Sequence, residues 1–133
     1  MADFHLQIVT PDGLVFDGMA ESIHLRVDTG DVEILRGHED YFAPLGTGIA
    51  RLTASGTSRY ASASGGFISV RGGEVKLVAT TFEFADEIDL NRARAAKERA
   101  EEALNSSSDE RTVKLARAKL ARALNRINVA ELK

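Results

Sequence analysis

The sequence predicts an α+β protein: an N-terminal antiparallel β-sandwich of many short strands over residues 1–86, then a C-terminal antiparallel two-helix hairpin over residues 87–133. Three observations carry that expectation. Apolar residues alternate with polar ones through the first part and recur every three or four positions through the second. No glycine lies after Gly73. The charge divides at the same place: residues 1–87 hold 6 basic and 13 acidic side chains, a net −7, whereas residues 88–133 hold 11 and 7, a net +4.

In the first part, "FHLQIV" sets Phe4, Leu6 and Ile8 on one face of a strand, and "ESIHLRV" does the same with Ile23, Leu25 and Val27. Between them "TPDG" places proline before Asp-Gly, which favours a turn. Residues 30–48, "GDVEILRGHEDYFAPLGTG", are expected to form a polar loop between apolar runs. "ASGTSRY" around Gly56 predicts a hairpin. So does Gly72-Gly73, which supplies positive φ for a tight turn between Phe67–Arg71 and Glu74–Ala79. "SGGF" at 64–67 lacks the lysine and the length of a phosphate-binding loop and suits a bend or bulge. Strands and turns at this spacing suit a sandwich or a flattened barrel.

The second part opens with "IDLNRARAAKERA", where Asp89 is placed to cap a helix running to about Leu104. "NSSS" at 105–108 interrupts it, and Ser107 with Glu110 three residues on predicts the capping box of a second helix. The apolar face of that helix is expected at Val113, Ala116, Leu120, Leu124 and Ile127. So short a break makes the helices antiparallel. The first helix offers its partner Leu90, Ala93, Ala96, Ala100 and Leu104, mostly methyl groups. At ~25 cal/mol per Å2 an alanine seam removes little area from water, so the docked hairpin is expected to be only slightly favoured and easily moved by a ligand or partner.

Composition excludes several functions. There is no cysteine, hence no disulfide and no thiolate metal site, and His5, His24 and His38 have no ligand spacing. No catalytic constellation stands out, and no apolar run reaches the ~18 residues of a membrane span. An intracellular, soluble protein is the simplest expectation. The second helix is strongly cationic from Arg111 to Arg126 but has no tyrosine or tryptophan, so an acidic protein partner suits it without any nucleic acid. Arg92 and Arg99 share a face of the first helix, and Arg122 and Arg126 share one on the second. The antiparallel order is expected to bring Arg92 toward Arg126, with either solvated ion pairs or a phosphate group between the guanidinium groups. Asp89 is a further candidate, as acceptor from a purine amino group.

Four segments in order, "IVTPDGLVFDG", "DTGDVEILRGHEDYFAPL", "SGGFISV" and "EIDLNRARAAKERAEEAL", resemble the epsilon subunit of the F-type, proton-translocating ATP synthase over the whole chain. The resemblance implies a non-catalytic coupling and regulatory part of a rotary motor, peripheral on the cytoplasmic face of a bacterial cell membrane and not inserted in it. Its partners would be the gamma shaft, the c-ring and the alpha/beta head with its acidic beta loops, with Asp31, Glu33, Arg36 and His38 at the shaft and ring contact. No cofactor is required, but ATP is implied as a regulatory ligand. Ile88, Asp89, Arg92 and Ala93 match the family's ATP motif, Arg122 and Arg126 match its partner arginines, and Glu83 and Arg99 are weaker matches. Where family loops read Leu-Pro-Gly-His, this chain carries Arg36 for the proline and then Glu39, Asp40 and Tyr41, an acid pair expected to face the shaft or ring. A stand-alone nucleotide sensor is the alternative, separated by whether the chain co-purifies with the motor.

Overall fold

A computed structural model describes residues 3–132. Eight strands come first: β1 (Phe4–Thr10), β2 (Gly13–Ala20), β3 (Ser22–Val27), β4 (Gly30–Leu35), β5 (Tyr41–Pro44), β6 (Gly48–Ala54), β7 (Thr57–Arg71) and β8 (Glu74–Phe84). A 3-10 turn at Ala85–Glu87 leads to α1 (Leu90–Ser106) and α2 (Glu110–Ala130). The strands run in the order β2-β1-β8-β7-β6-β3-β4, with β5 added on β7. Among the described residues β2 and β4 end this path unpaired with each other, so the sheet folds over as a sandwich and does not close into a barrel.

The period-two expectation holds. Leu6, Ile8, Ile23 and Leu25 are fully buried in one apolar cluster with Ile34, Ile68 and Leu77. Both expected hairpins form, at Ser55-Gly56 and Gly72-Gly73, and the expected turn at Pro11-Asp12 joins a third, between β1 and β2. Two details differ. Residues 30–48 are not one loop: they contain β4 and β5, because Val32 and Ile34 alternate inward beneath Asp31, Glu33 and Leu35. The sandwich also has one parallel pairing, β1 with β8, between strands too distant in sequence for a hairpin to dictate their direction.

The "SGGF" segment bends β7. Before it, β7 pairs with β6 up to Ala63; after it, β7 pairs with β5 from Phe67. Against β8 the ladder skips Gly65 but resumes in the same register, Ser64 with Thr81 and Gly66 with Ala79, so nothing is inserted and the feature is a bend, not a bulge. Gly66 sits at φ 86°, and a Cβ there would lie 1.8 Å from the Val78 carbonyl oxygen. Only glycine lets the strands approach this closely while β7 turns from one neighbour to the next.

The helices deviate from expectation in one cap and one face. Asp89 caps α1, accepting from the Arg92 amide at 3.1 Å. The cap of α2 is Asp109 and not Ser107: its Oδ2 accepts from the Thr112 amide at 3.3 Å and from Thr112 Oγ1 at 2.7 Å. The Thr112 hydroxyl holds the Asp109 carboxyl below its ordinary range, aided by the Thr112 amide. Ser107 serves one step earlier, accepting from the Asp109 amide at 3.2 Å. The buried face of α2 is Ala116, Ala123, Val129 and Ala130, whereas Leu124, expected inside, is 39% exposed. Because α2 packs against both α1 and the sheet, small residues set its seams. Ala93 and Ala100 are the buried positions of α1.

Candidate functional site

A groove of about 470 Å3 runs between the helical hairpin and the sheet. Ser62 of β7 and Thr81 of β8 line it from the sheet, and Ala96, Ala100, Ala116 and Ala123 from the helices. The small side chains of the alanine seam also leave this space beside the helices. Four cations line it: Arg99 from α1 and Lys119, Arg122 and Arg126 from α2. Glu83 of β8 is the one carboxylate in the lining.

Glu83 is already engaged. Arg126 Nη2 donates to Glu83 Oε2 at 3.2 Å, and Arg126 Nε, a buried nitrogen without an aligned hydrogen bond, lies 2.7 Å from Oε1. Arg99, Lys119 and Arg122 make no ion pair among the described residues. Three uncompensated cations beside a half-enclosed, partly apolar space favour an anion with several acceptor oxygens. The volume is that of a small-molecule site.

Of the expected ATP residues, the structure gathers Glu83, Arg99, Arg122 and Arg126 on the groove. Ile88, Asp89, Arg92 and Ala93 stand outside its lining. Ile88 packs with Ala85, Val129 and Ala130 where the hairpin meets the sandwich, and Ala93 is fully buried. Asp89 spends an oxygen on its own helix, and the exposed Arg92 side chain makes no ion pair among the described residues. Arg126 pairs with Glu83.

The expected shaft and ring residues divide in two. On β4, Asp31 lies 3.6 Å from Arg26 and 3.9 Å from His24, and Glu33 accepts from Arg51 of β6 at 2.9 Å, forming a charged ladder across three strands. Arg36 and His38 instead line a hollow of about 540 Å3 with Met19, Leu35 and Glu74. His38 Nδ1 donates to the Glu39 carbonyl at 2.8 Å, and its ring meets Tyr41 edge-on. Asp40 does not project as a free acid, because its Oδ1 accepts from the Gly72 amide at 3.0 Å and ties this loop to the β7–β8 turn.

Three side chains with notable placements are not apparent from sequence pattern. Asn125 donates from Nδ2 to the Gly48 carbonyl at 2.8 Å and to Ser62 Oγ at 2.9 Å, the most direct polar link between α2 and the sandwich. A helix-averse amide in mid-helix was its only signal. Lys119 on the groove is one cation among many in the sequence. His5 spans two acids, with Nε2 at 2.6 Å from Asp17 and Nδ1 at 2.6 Å from Glu74. Those bonds, Asp17 first, raise the His5 pKa above 6.5, and the His5 bond lowers that of Asp17.

A β-sandwich followed by a helical domain has counterparts of known class. The model of the ATP synthase delta/epsilon chain β-sandwich domain matches residues 3–85, and that of its long α-helix domain matches residues 86–131; the chain belongs to the ATP synthase delta/epsilon family. Within it, the similarity is to epsilon chains. The chain is 44% identical to the ATP synthase epsilon chain of Bacillus velezensis over 130 residues, 98% of each, and equally so to that of Bacillus subtilis. The epsilon chain of Bacillus cytotoxicus is 40% identical over the full length of both. The fold recurs in the Euglena gracilis mitochondrial ATP synthase, with a TM-score of 0.83 at 24% identity over all of this chain and 83% of that one. It recurs in the central stalk and c-ring of the Tetrahymena thermophila enzyme, with a TM-score of 0.65 at 14% identity over 95% of each. This is a structural or regulatory subunit of the synthase and not its catalytic part. No helix among the described residues is long and apolar enough to cross a membrane.

Proposed function

We propose that the chain sits in the central stalk of a rotary, proton-translocating ATP synthase, its sandwich held between the gamma shaft and the c-ring. There it couples proton flow to ATP synthesis, peripheral on the cytoplasmic face of a bacterial membrane. Its helical hairpin restrains ATP hydrolysis by leaving the sandwich and reaching the acidic beta loops of the head. ATP in the cationic groove opposes that departure.

The observation that carries the ATP reading is the placement of Arg99, Lys119 and Arg122, uncompensated, on a groove whose walls come from both the hairpin and the sheet. A polyanion there touches both bodies and relieves repulsion between cations, so it favours the docked pose by its differential contact. The hairpin itself is easily moved, since α1 buries only Ala93 and Ala100 fully and α2 holds the sheet through Asn125, Arg126 and a four-residue apolar cluster. Once released, α2 presents Arg111, Lys114 and Arg117, all exposed, to an acidic partner. Ile88 and Asp89 support the site by fixing where α1 begins.

Titration calorimetry of the isolated chain with ATP tests the groove. Saturable heat is expected, weakened by Arg122→Ala, and its absence at millimolar ATP sinks the regulatory reading. Co-purification with the gamma subunit and the alpha/beta head tests the stalk assignment separately.

A further inference from the structure

We propose that Lys119 is a phosphate-holding residue of the groove and extends it, along α2, into a site that grips a chain of phosphates and not a single one. This rests on the nucleotide reading above and adds a residue that neither motif nor resemblance supplies. Beyond Glu110, α2 carries no acid before its end, yet it bears Arg111, Lys114, Arg117, Lys119, Arg122 and Arg126. The structure sorts these six into two sets. Arg111, Lys114 and Arg117 stay off the groove, and Lys119, Arg122 and Arg126 line it.

The three lining cations fall at spacings of three and four, so they form one row on one helix face. Seven residues separate Lys119 from Arg126, a rise of about 10 Å at 1.5 Å per residue. Arg126 at the sheet end is occupied by Glu83, while Lys119 and Arg122 have no ion pair among the described residues, and Arg99 lines the same groove from α1. Like charges at i,i+3 on a helix repel. The Lys119–Arg122 pair therefore costs stability in the empty groove, and that cost is relieved when an anion lies between them. An ammonium on a flexible stem follows a phosphate chain of varied pose, while the guanidinium groups fix particular oxygens. The distal phosphates of a nucleoside triphosphate would reach Lys119, whereas a shorter chain engaged at Arg122 would leave it idle.

The test is calorimetry on the full chain with ATP, ADP and inorganic tripolyphosphate, comparing the unsubstituted protein with Lys119→Met and Lys119→Arg. Methionine keeps the apolar stem and helix propensity and removes only the charge. Lys119→Met is expected to weaken ATP and tripolyphosphate about tenfold and ADP less than about threefold, with Lys119→Arg restoring most of the loss. ATP binding by the unsubstituted chain with an unchanged ATP-to-ADP ratio in Lys119→Met overturns the role of Lys119 and leaves the nucleotide site standing. No binding of any of the three ligands by the unsubstituted chain overturns both.

Discussion

Arg126 Nη2 donates to Glu83 Oε2 at 3.2 Å, joining the second helix to the last strand of the sandwich. One arginine thus belongs both to the groove and to the latch that keeps the hairpin down. With both side chains partly buried, a double-mutant cycle of Glu83→Gln and Arg126→Gln should give a coupling of about 1 kcal/mol, less at high salt. Glu83→Gln should also tighten ATP binding in the docked form by freeing a guanidinium group. Denaturant titrations supply the cycle and calorimetry the affinity; a coupling near zero would show the pair to be incidental.

Asn125 is the neutral half of that latch. Asn125→Leu removes both donated hydrogen bonds and leaves the part-buried Gly48 carbonyl and the buried Ser62 hydroxyl without that partner, a loss of about 1–3 kcal/mol in docking. Native-state hydrogen exchange localises the effect. Amides of α2 should exchange at least about tenfold faster while those of β7 and β8 keep their protection. Equal acceleration throughout would mean the hairpin and sandwich open as one unit.

At Gly66 the backbone is at φ 86° with the Val78 carbonyl in the way, whereas Gly72 is at φ 57° with open space around it. Gly66→Ala should therefore destabilise the sandwich by more than about 3 kcal/mol, and Gly72→Ala by only about 1 kcal/mol. Urea midpoints at unchanged slope measure both. Similar losses at the two sites would remove the case for a bend that requires glycine.

The His5 bridge predicts a pH dependence of defined sign. His5 titrates above 6.5 in the folded chain, so its contribution is complete below pH 6.5 and is lost as pH rises through the raised value. Asp17 titrates below 3.8, so its contribution is complete above pH 3.8 and is lost as pH falls through the lowered value. The melting temperature of the native chain relative to His5→Gln should peak between those limits and decline on both sides. A difference independent of pH would place no charge on the bridge.

Much of the candidate site was legible because it lies on helices, where spacing translates directly into a shared face. Arg122 and Arg126 are four apart and do line one groove. Arg92 lies outside the lining of that groove, because antiparallel order fixes only which ends meet, not which way a side chain turns, and Glu83 arrives from a strand to pair with Arg126. The polar-loop expectation for residues 30–48 failed where Asp31 and Glu33, charged and outward, masked the inward alternation of Val32 and Ile34.

By itself the sequence determined the two periods, the turns at Pro11-Asp12, Gly56 and Gly72-Gly73, the Asp89 cap and the alanine-rich seam of the hairpin, since each depends on residues within a few positions of one another. Tertiary structure alone decided the parallel contact of β1 with β8, the seat of Asn125 on Gly48 and Ser62, the His5 bridge and the sorting of the α2 cations between groove and solvent. These join positions far apart in the chain, and local propensity carries no information about which distant surface a side chain will meet.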